Sequence, residues 1–433
     1  MIVTIFAYGT RGDVQPYFAL AIALKKAGHT VRMPVEKLYK KDIEENGLDY
    51  LESTAGSFQD LFRRPAIEKA IASKNRLKII TTFYKEVKSF AKDYFDELCR
   101  VSPGSDLLIS SPYGFGVDDI AEKLGVHFIY TAFGPLCPTT QFPCLLGPNF
   151  PDVGFLNRFS HKMVQQLLWQ MVRPFISKWR KKTLGLKGSP FLGPYKKIYR
   201  GPAPVLFEYS PSFIPRPLEW PKNVHVTGFW RIDDQEGWQP PKELVEFINS
   251  GSKPIFIGFG SLKDNSRERI TKVILEALEI TGQRCVLGAG WNNIGSGEQL
   301  PSNIFKVDYV PHFWLFKQMA VIVHHGGAGT TGEALRAGVP SIVTPAVGDG
   351  FFWSRMVYKA GVSPKPISYQ NLTAENLAGL IKEALNDKNM QTRARELGSQ
   401  IQAENGTQCA IRILEDFYSK YEGEKNTEKR ILL

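Results

Sequence analysis

The 433-residue sequence has no apolar run near the roughly 20 residues that a membrane-spanning helix needs; stretches such as 17–24 and 320–323 fall far short. Residues 1–8 are apolar, yet they lack a basic start and a small-residue cleavage site and run straight into GTRGD. They therefore read as a first strand and not as a secretion signal. The five cysteines (Cys99, Cys137, Cys144, Cys285 and Cys409) are odd in number, scattered, and form no CxxC pair. Neither a zinc site nor a disulfide framework is suggested, and a reducing, cytoplasmic setting fits best. No G-x-G-x-x-G follows the first strand, which counts against an NAD(P)-dependent oxidoreductase. Residues 153–207 hold no Asp or Glu but carry eleven Lys or Arg, the size of the whole net charge of +11. A local cationic patch of this kind points to an anionic surface as partner. Its cations are interleaved with an apolar helical pattern and no nucleic-acid motif accompanies them, so nucleic acid is not expected.

What is present is the composition expected of a soluble globular protein, 43% hydrophobic and 22% charged, long enough for two domains. Both halves begin alike. Residues 2–7 and 254–259 read as buried strands, each ends in Gly-Thr or Gly-Ser, and amphipathic helical patterns follow at 17–27 and 269–281. Strand, glycine turn and helix open a doubly wound domain. Further strands are expected at 31–35, 106–111 and 126–132, then at 285–288, 304–307, 321–324 and 341–344. Helices are expected at 118–124, 331–337 and 377–385. The reading is a first domain over 1–215, a Pro-rich linker over 216–241, a second domain over 242–405, and a C-terminal helix over 406–433. That helix is expected to return to the first domain and to end in a frayed polar tail. Val164, Leu167, Leu168, Met171, Val172, Phe175, Ile176 and Trp179 recur at helical spacing and predict one shared face, with Pro174 as a kink or restart. With Trp169 and Trp179, the pattern fits both a core helix and an interfacial membrane helix.

The stretch VIVHHGGAGTTGEALRAGV at 321–339 carries the most chemistry. A buried strand delivers His324 and His325 to the end of a sheet. Gly326, Gly327 and Gly329 let the backbone approach a ligand closely. A helix then begins, and its unpaired amides and positive end suit a diphosphate. Thr330 and Thr331 add hydroxyls, and Glu333 offers two oxygens to a ribose. No DxD sequence occurs, so no metal-bridged diphosphate is indicated.

These residues resemble the donor signature of the family 1 glycosyltransferases, most similar to the sterol 3-β-glucosyltransferase-like branch that includes glycopeptide-antibiotic transferases. GTRGDVQPYFALA at 9–21, SPSFIPRPLEWPKNVHVTGFW at 210–230, GFGSL at 258–262 and VDYVPHFWLF at 307–316 match in order, so the resemblance spans nearly the whole chain. It implies the GT-B fold: two α/β, Rossmann-like domains facing each other across a cleft. It implies transfer of a hexosyl unit, with inversion, from a UDP-sugar or dTDP-sugar to a lipophilic hydroxyl such as that of a sterol or polyketide. No metal or permanently bound cofactor is expected. His325, Gly327, Gly329 and Thr330 would hold the diphosphate, with Ser261 on a second phosphate loop. Glu333 would hold the ribose. Val310 would hold the uracil beside an aromatic wall, either Trp291 or Tyr309. His324, one residue off on a strand, would be structural.

Asp13 would be the general base that takes the acceptor proton, although an Asp after Gly at a helix start also reads as an N-cap. Asp349 would hold sugar hydroxyls, but Gly350 stands where the family has Gln, which puts the usual glucose preference in doubt. Tyr113, Phe115, Phe133 and Phe142 follow strand ends of the first half, where open α/β sheets bind ligands, and would form the acceptor pocket. Peripheral contact with an anionic membrane would run through 158–200. The alternative is a non-catalytic nucleotide-sugar or lipid-binding protein of the same fold.

Overall fold

The computed structural model describes residues 1–9, 11–53, 64–72, 76–147, 151–232, 238–260, 267–290, 294–295, 300–346 and 348–431. Among the described residues no helix is long and apolar enough to cross a membrane.

Two all-parallel sheets form the molecule. The first holds β1 (Ile2–Phe6), β2 (Thr30–Val35), β3 (Asp49–Glu52), β4 (Leu107–Ser110), β5 (His127–Ala132), β6 (Val205–Phe207) and β7 (Val224–Val226), in the order β3-β2-β1-β4-β5-β6-β7. The second holds β8 (Ile255–Gly258), β9 (Cys285–Gly288), β10 (Ile304–Val307), β11 (Ile322–His324) and β12 (Ser341–Val343), in the order β10-β9-β8-β11-β12. In each the order reverses beside the first strand, which opens a crevice at the carboxyl ends where ligands bind in such sheets. Alternate side chains serve opposite faces. Val3 and Ile5 join one apolar cluster and Phe6 another; Ile255 and Ile257 join one and Phe256 another. Both sheets are thus covered on both sides, which is why their strands read as continuous apolar runs.

Helices α1 (Arg11–Lys26), α2 (Arg76–Val101), α3 (Val117–Leu124) and α4 (Gly154–Trp179) belong to the first half. Helices α5 (Arg267–Thr281), α6 (Ala328–Ala337), α7 (Gly350–Lys359), α8 (Ala374–Asn386) and α9 (Lys388–Ala403) belong to the second. The last helix, α10 (Gly406–Ile431), packs Ala410, Ile411 and Leu414 into the cluster that holds Val14 and Tyr17 of α1. His29 Nε2 lies 2.9 Å from Glu415 Oε1, and the His127 ring meets the rings of Phe417 and Tyr421. The polar tail expected to fray after Tyr421 continues this helix to Ile431.

The Pro-rich segment does more than connect. It contributes β7, which pairs with β6 at the edge of the first sheet. The seam between the halves is an apolar cluster joining Phe142, Phe207 and Trp220 of the first half to Phe352, Trp353 and Val357 of the second. The Phe142 and Phe352 rings meet edge to face with centroids 5.7 Å apart, and Lys359 pairs with Asp152 across it.

The α4 pattern corrects one expectation. Val164, Val172, Ile176 and Trp179 are buried, but Leu167 and Met171 point outward. Trp169 and Trp179 are both in the core, Trp179 stacked flat on Phe95 with centroids 4.5 Å apart. Neither is an interfacial anchor. Pro174 lies inside a helix that continues to Trp179 and ends in a π-helical turn, Arg180–Leu184. Arg180 is buried there and pairs with Asp119 and Glu122 of α3.

Candidate active site

Strand β11 ends at His324, and the backbone turns through His325, Gly326 and Gly327 into α6. Gly326 has φ 90°, and a Cβ on it would lie 2.8 Å from Val343 Cγ1, so sterics and backbone both demand glycine. The His325 ring lies between two more glycines: a Cβ on Gly327 would come within 2.8 Å of its Nε2, and one on Gly260 within 3.0 Å of its Cε1. A Cβ on Gly329 would meet nothing within 4 Å. Thus the first turn of α6 faces open space while the turn behind it is tightly packed. The Gly329 and Thr330 amides find no acceptor among the described residues, as is usual for a helix start. The Thr331 hydroxyl, expected as a further donor, is spent on the Gly327 carbonyl at 2.9 Å.

Three imidazoles surround this turn, and burial keeps each neutral. His325 is brought down to about 4. His312 is held at about 4 by burial and by His325, its ring stacked on Phe316 at 4.3 Å. His324 is held at about 3; it is buried, and its Nδ1 accepts the Gly326 N–H at 3.1 Å. His324 therefore braces the turn. His325 has a buried Nδ1 without a hydrogen-bond partner, a group that a phosphate oxygen would satisfy.

Asp349 stands at the start of α7. Its Oδ2 accepts Trp353 Nε1–H at 2.9 Å, and its carboxylate accepts the Ala328 N–H at the head of α6. Burial first, then the negative charge of Asp13, push its pKa up to about 6. Asp13 belongs to the first sheet's side of the cleft and Asp349 to the second's, so the two carboxylates lie close enough to repel across it. Asp13 is in the first turn of α1, not in a loop before the helix. Its carboxylate covers Gly9, where φ is 136° and a Cβ would lie 2.5 Å from Asp13 Oδ2. Beneath it lies Glu208, buried at the end of β6 and missed in the sequence reading; burial and then Asp13 hold its pKa well above the ordinary carboxyl value. An acid inside VLFEYS was the available signal.

Gly350 has a steric reason. A Cβ there would sit 2.8 Å from the His325 carbonyl oxygen, because α7 begins tight against the glycine turn. Glu333 is half-buried on α6, and Arg231 Nε of the connecting segment lies 4.0 Å away. Val310 is buried beside the His312 loop, whereas Tyr309 is exposed. Ser261 and Trp291 lie outside the described residues. Among the described residues no group of three or more His, Cys, Asp or Glu is arranged to hold a metal.

On the other side of the cleft, Tyr113 and Phe115 line a small apolar cavity between α2 and α4. Phe133 packs near Tyr113, ring centroids 6.4 Å apart. Phe142 does not reach this cavity; it is 4% exposed, in the seam between the halves.

Residues 3–143 match the glycosyltransferase family 28 N-terminal domain, and residues 281–416 match the erythromycin biosynthesis protein CIII-like C-terminal domain. The chain is 32% identical over 422 residues to a sterol 3-beta-glucosyltransferase of Leptosphaeria maculans, covering 94% of this chain and 28% of that protein. It is 33% identical over 443 residues to one of Cryptococcus neoformans, covering 96% of this chain and 27% of that protein. It thus spans little more than a quarter of the length of these relatives. Among solved structures it resembles the kitacinnamycin glycosyltransferase, with TM-score 0.67, 18% identity and 96% and 98% of the two chains covered. It also resembles the glycosyltransferase SnogD of Streptomyces nogalater, with TM-score 0.65, 19% identity and 96% and 99% covered. A third is VinC in complex with dTDP, with TM-score 0.67, 17% identity and 97% and 100% covered. Two parallel sheets meeting at a seam, with the glycine turn at the carboxyl end of β11 in the second, are the GT-B fold. The chain belongs to the family 1 GT-B glycosyltransferases, with sterol 3-beta-glucosyltransferases among its relatives.

Proposed function

We propose that the chain is an inverting hexosyltransferase that uses a UDP-sugar, or a dTDP-sugar, to glycosylate a hydroxyl of a lipophilic acceptor such as a sterol or polyketide. The observation that carries the reading is the open first turn of α6, where a Cβ on Gly329 would meet nothing and the buried His325 Nδ1 has no hydrogen-bond partner, with Asp13 near enough for its charge to raise Asp349.

The diphosphate would lie on the Gly329 and Thr330 amides, the Gly327 turn and the Thr330 hydroxyl. The buried His325 imidazole would donate to a phosphate oxygen; being neutral, it acts as a hydrogen-bond donor and not as a standing cation. As the anomeric bond breaks, these preorganised donors receive the growing negative charge. Glu333 would take the ribose hydroxyls and Val310 the base. Ser261 and Trp291 remain family-based expectations for the second phosphate loop and the base wall. Asp13 would remove the acceptor proton while the oxygen attacks from the face opposite the leaving diphosphate. Asp349 would hold sugar hydroxyls, with Gly350 supplying backbone only.

The acceptor would enter beside the apolar cavity at Tyr113 and Phe115, with Phe133 nearby. Cytoplasmic work in peripheral contact with an anionic membrane through 158–200 fits both a lipophilic acceptor and the cysteine pattern. The test is turnover. Incubation with UDP-glucose, UDP-galactose and dTDP-glucose against a sterol and an aromatic aglycone should give a hexose mass shift that Asp13→Ala abolishes. Donor binding without any transfer or hydrolysis would favour the non-catalytic reading instead.

A further inference from the structure

We propose that the outer side of α4, with the turn at 189–193 laid across it, is a docking surface for an anionic lipid bilayer, and that it sets the acceptor cavity against the membrane that supplies the acceptor. The docking surface stands on its own; the supply of the acceptor rests on the acceptor reading above.

The surface is apolar where solvent should be. Phe155 is 74% exposed, Phe159 58% and Leu167 59% along α4, and Phe191 is 64% and Leu192 70% exposed on the turn. Large exposed apolar side chains gathered on one helix and on the turn bonded to it mark an interaction site. The turn is held and does not dangle: Gln166 Nε2 donates to the Leu192 carbonyl at 2.8 Å, Gln170 Nε2 to the Phe191 carbonyl at 2.7 Å, and Trp169 Nε1 to the Pro190 carbonyl at 3.1 Å. The Arg173 guanidinium sits 5.2 Å over the Phe191 ring. Three consecutive carbonyls are thus bound to one helix, which aims the Phe191–Leu192 pair outward at fixed height. The Trp169 of this helix serves the membrane face by holding the wedge from within.

Charge decides the occupant. Segment 153–207 has no carboxylate. Of its cations, Arg180 is buried in its pair with Asp119, Arg158 pairs with Glu219, and Lys197 with Glu122. Lys162, Lys178, Lys181, Lys182 and Lys187 are exposed and pair with no carboxylate among the described residues. An apolar wedge flanked by free lysines matches the interfacial region of a bilayer, with its acyl boundary and anionic headgroups. A nucleic acid would use the lysines and leave the wedge in water. The opposite side of α4 gives the geometry its purpose: Val172, Phe175 and Ile176 line the apolar cavity. One helix is therefore both wall of the cavity and face of the patch, so docking places the cavity one helix diameter from the lipid.

The experiment is co-sedimentation of the full chain with vesicles of phosphatidylcholine alone, or with about 30% phosphatidylserine, a fraction chosen to give a physiological negative surface potential. The wild type should bind the anionic vesicles and release at high salt. F191S/L192S should bind at least about tenfold more weakly, from the apolar burial it forgoes. K181Q/K182Q should lose about 25-fold, at about fivefold per lysine. Both variants change exposed side chains and should melt like the wild type. Equal sedimentation of wild type and F191S/L192S would overturn the proposal, as would binding to a short RNA duplex with none to vesicles. Transfer to a detergent-dispersed sterol should be unchanged in both variants, and slowed only when the sterol is presented in vesicles. If the vesicle pattern holds but no lipophilic acceptor is ever glycosylated, the docking surface stands and the acceptor reading falls.

Discussion

Replacing Asp13 by Asn should make the protein more stable at neutral pH and nearly inactive at the same time. Asp349 titrates near 6 instead of 3.8. An acid with a raised folded pKa loses its proton first in the unfolded chain as pH rises. Native stability therefore falls between about pH 4 and pH 6 and stays lower above. Two pH units correspond to roughly 3 kcal/mol at 1.36 per unit. Burial causes the larger part and Asp13 the next. Because Asp349 is itself half-buried, solvent screening reduces what reaches stability, and the Asp13 share is on the order of 1 kcal/mol. Relief of the buried Glu208 acts in the same direction. Against this, Asn gives up the favourable charge of an acid in the first turn of α1, worth roughly 0.3–1 kcal/mol. That cost is present at every pH above the pKa of Asp13, whereas the relief appears only where Asp349 is ionised. Thermal melts of wild type and Asp13→Asn at pH 7.5 and pH 4 separate the two. The variant should gain about 1 °C relative to wild type at pH 7.5 and gain nothing at pH 4. Turnover should drop by about 10²–10⁴-fold, the usual worth of a general base, with UDP affinity kept. A variant that loses stability at pH 7.5 more than at pH 4 would refute the opposition of the two carboxylates. One that keeps full turnover would refute the base.

Gly329→Ala should melt like wild type, since its Cβ meets nothing, yet bind UDP about tenfold or more weakly by filling the ligand's space; calorimetry with UDP checks it. Gly327→Ala should instead cost roughly 1–3 kcal/mol of stability through its contact with His325, read by denaturant unfolding. His325→Ala should weaken UDP by about 1–3 kcal/mol for the lost hydrogen bond to a charged group. Because His325 titrates near 4, wild-type donor affinity should not follow a histidine titration between pH 6 and 8. Arg180→Ala should leave Asp119 buried without its partner and cost about 3–5 kcal/mol, seen as a large fall in melting temperature.

Much of the fold was legible because both sheets are parallel and covered on two sides. Strands such as Ile255–Gly258 and Cys285–Gly288 stand out as short apolar runs between turn residues. The short strands β3, β6 and β7 at the two sides of the first sheet did not, being three or four residues long. Helix α1 was read too short because its first turn is polar and Pro16 follows within the helix, so the pattern seemed to begin at Tyr17. On α4 the helical period was right, but apolar residues occupy both sides, and period alone cannot choose which of Leu167 and Val172 faces the core. The turn from His324 to Thr330 was legible because glycine crowding and two histidines have few other uses. Gly350 looked like a missing amide; only the packed turn shows that a side chain has no room. Glu208 showed only as an acid inside an apolar run, and its importance comes from Asp13, a neighbour that is distant in sequence.

The most direct measurement is a crystal structure of the chain soaked with UDP. The diphosphate oxygens should lie about 3 Å, hydrogen-bond distance, from the Gly329 and Thr330 amides and the His325 ring, with the terminal phosphate turned toward Asp13. A diphosphate bound elsewhere, or one at this turn with Asp13 directed away from the cleft, would contradict the account.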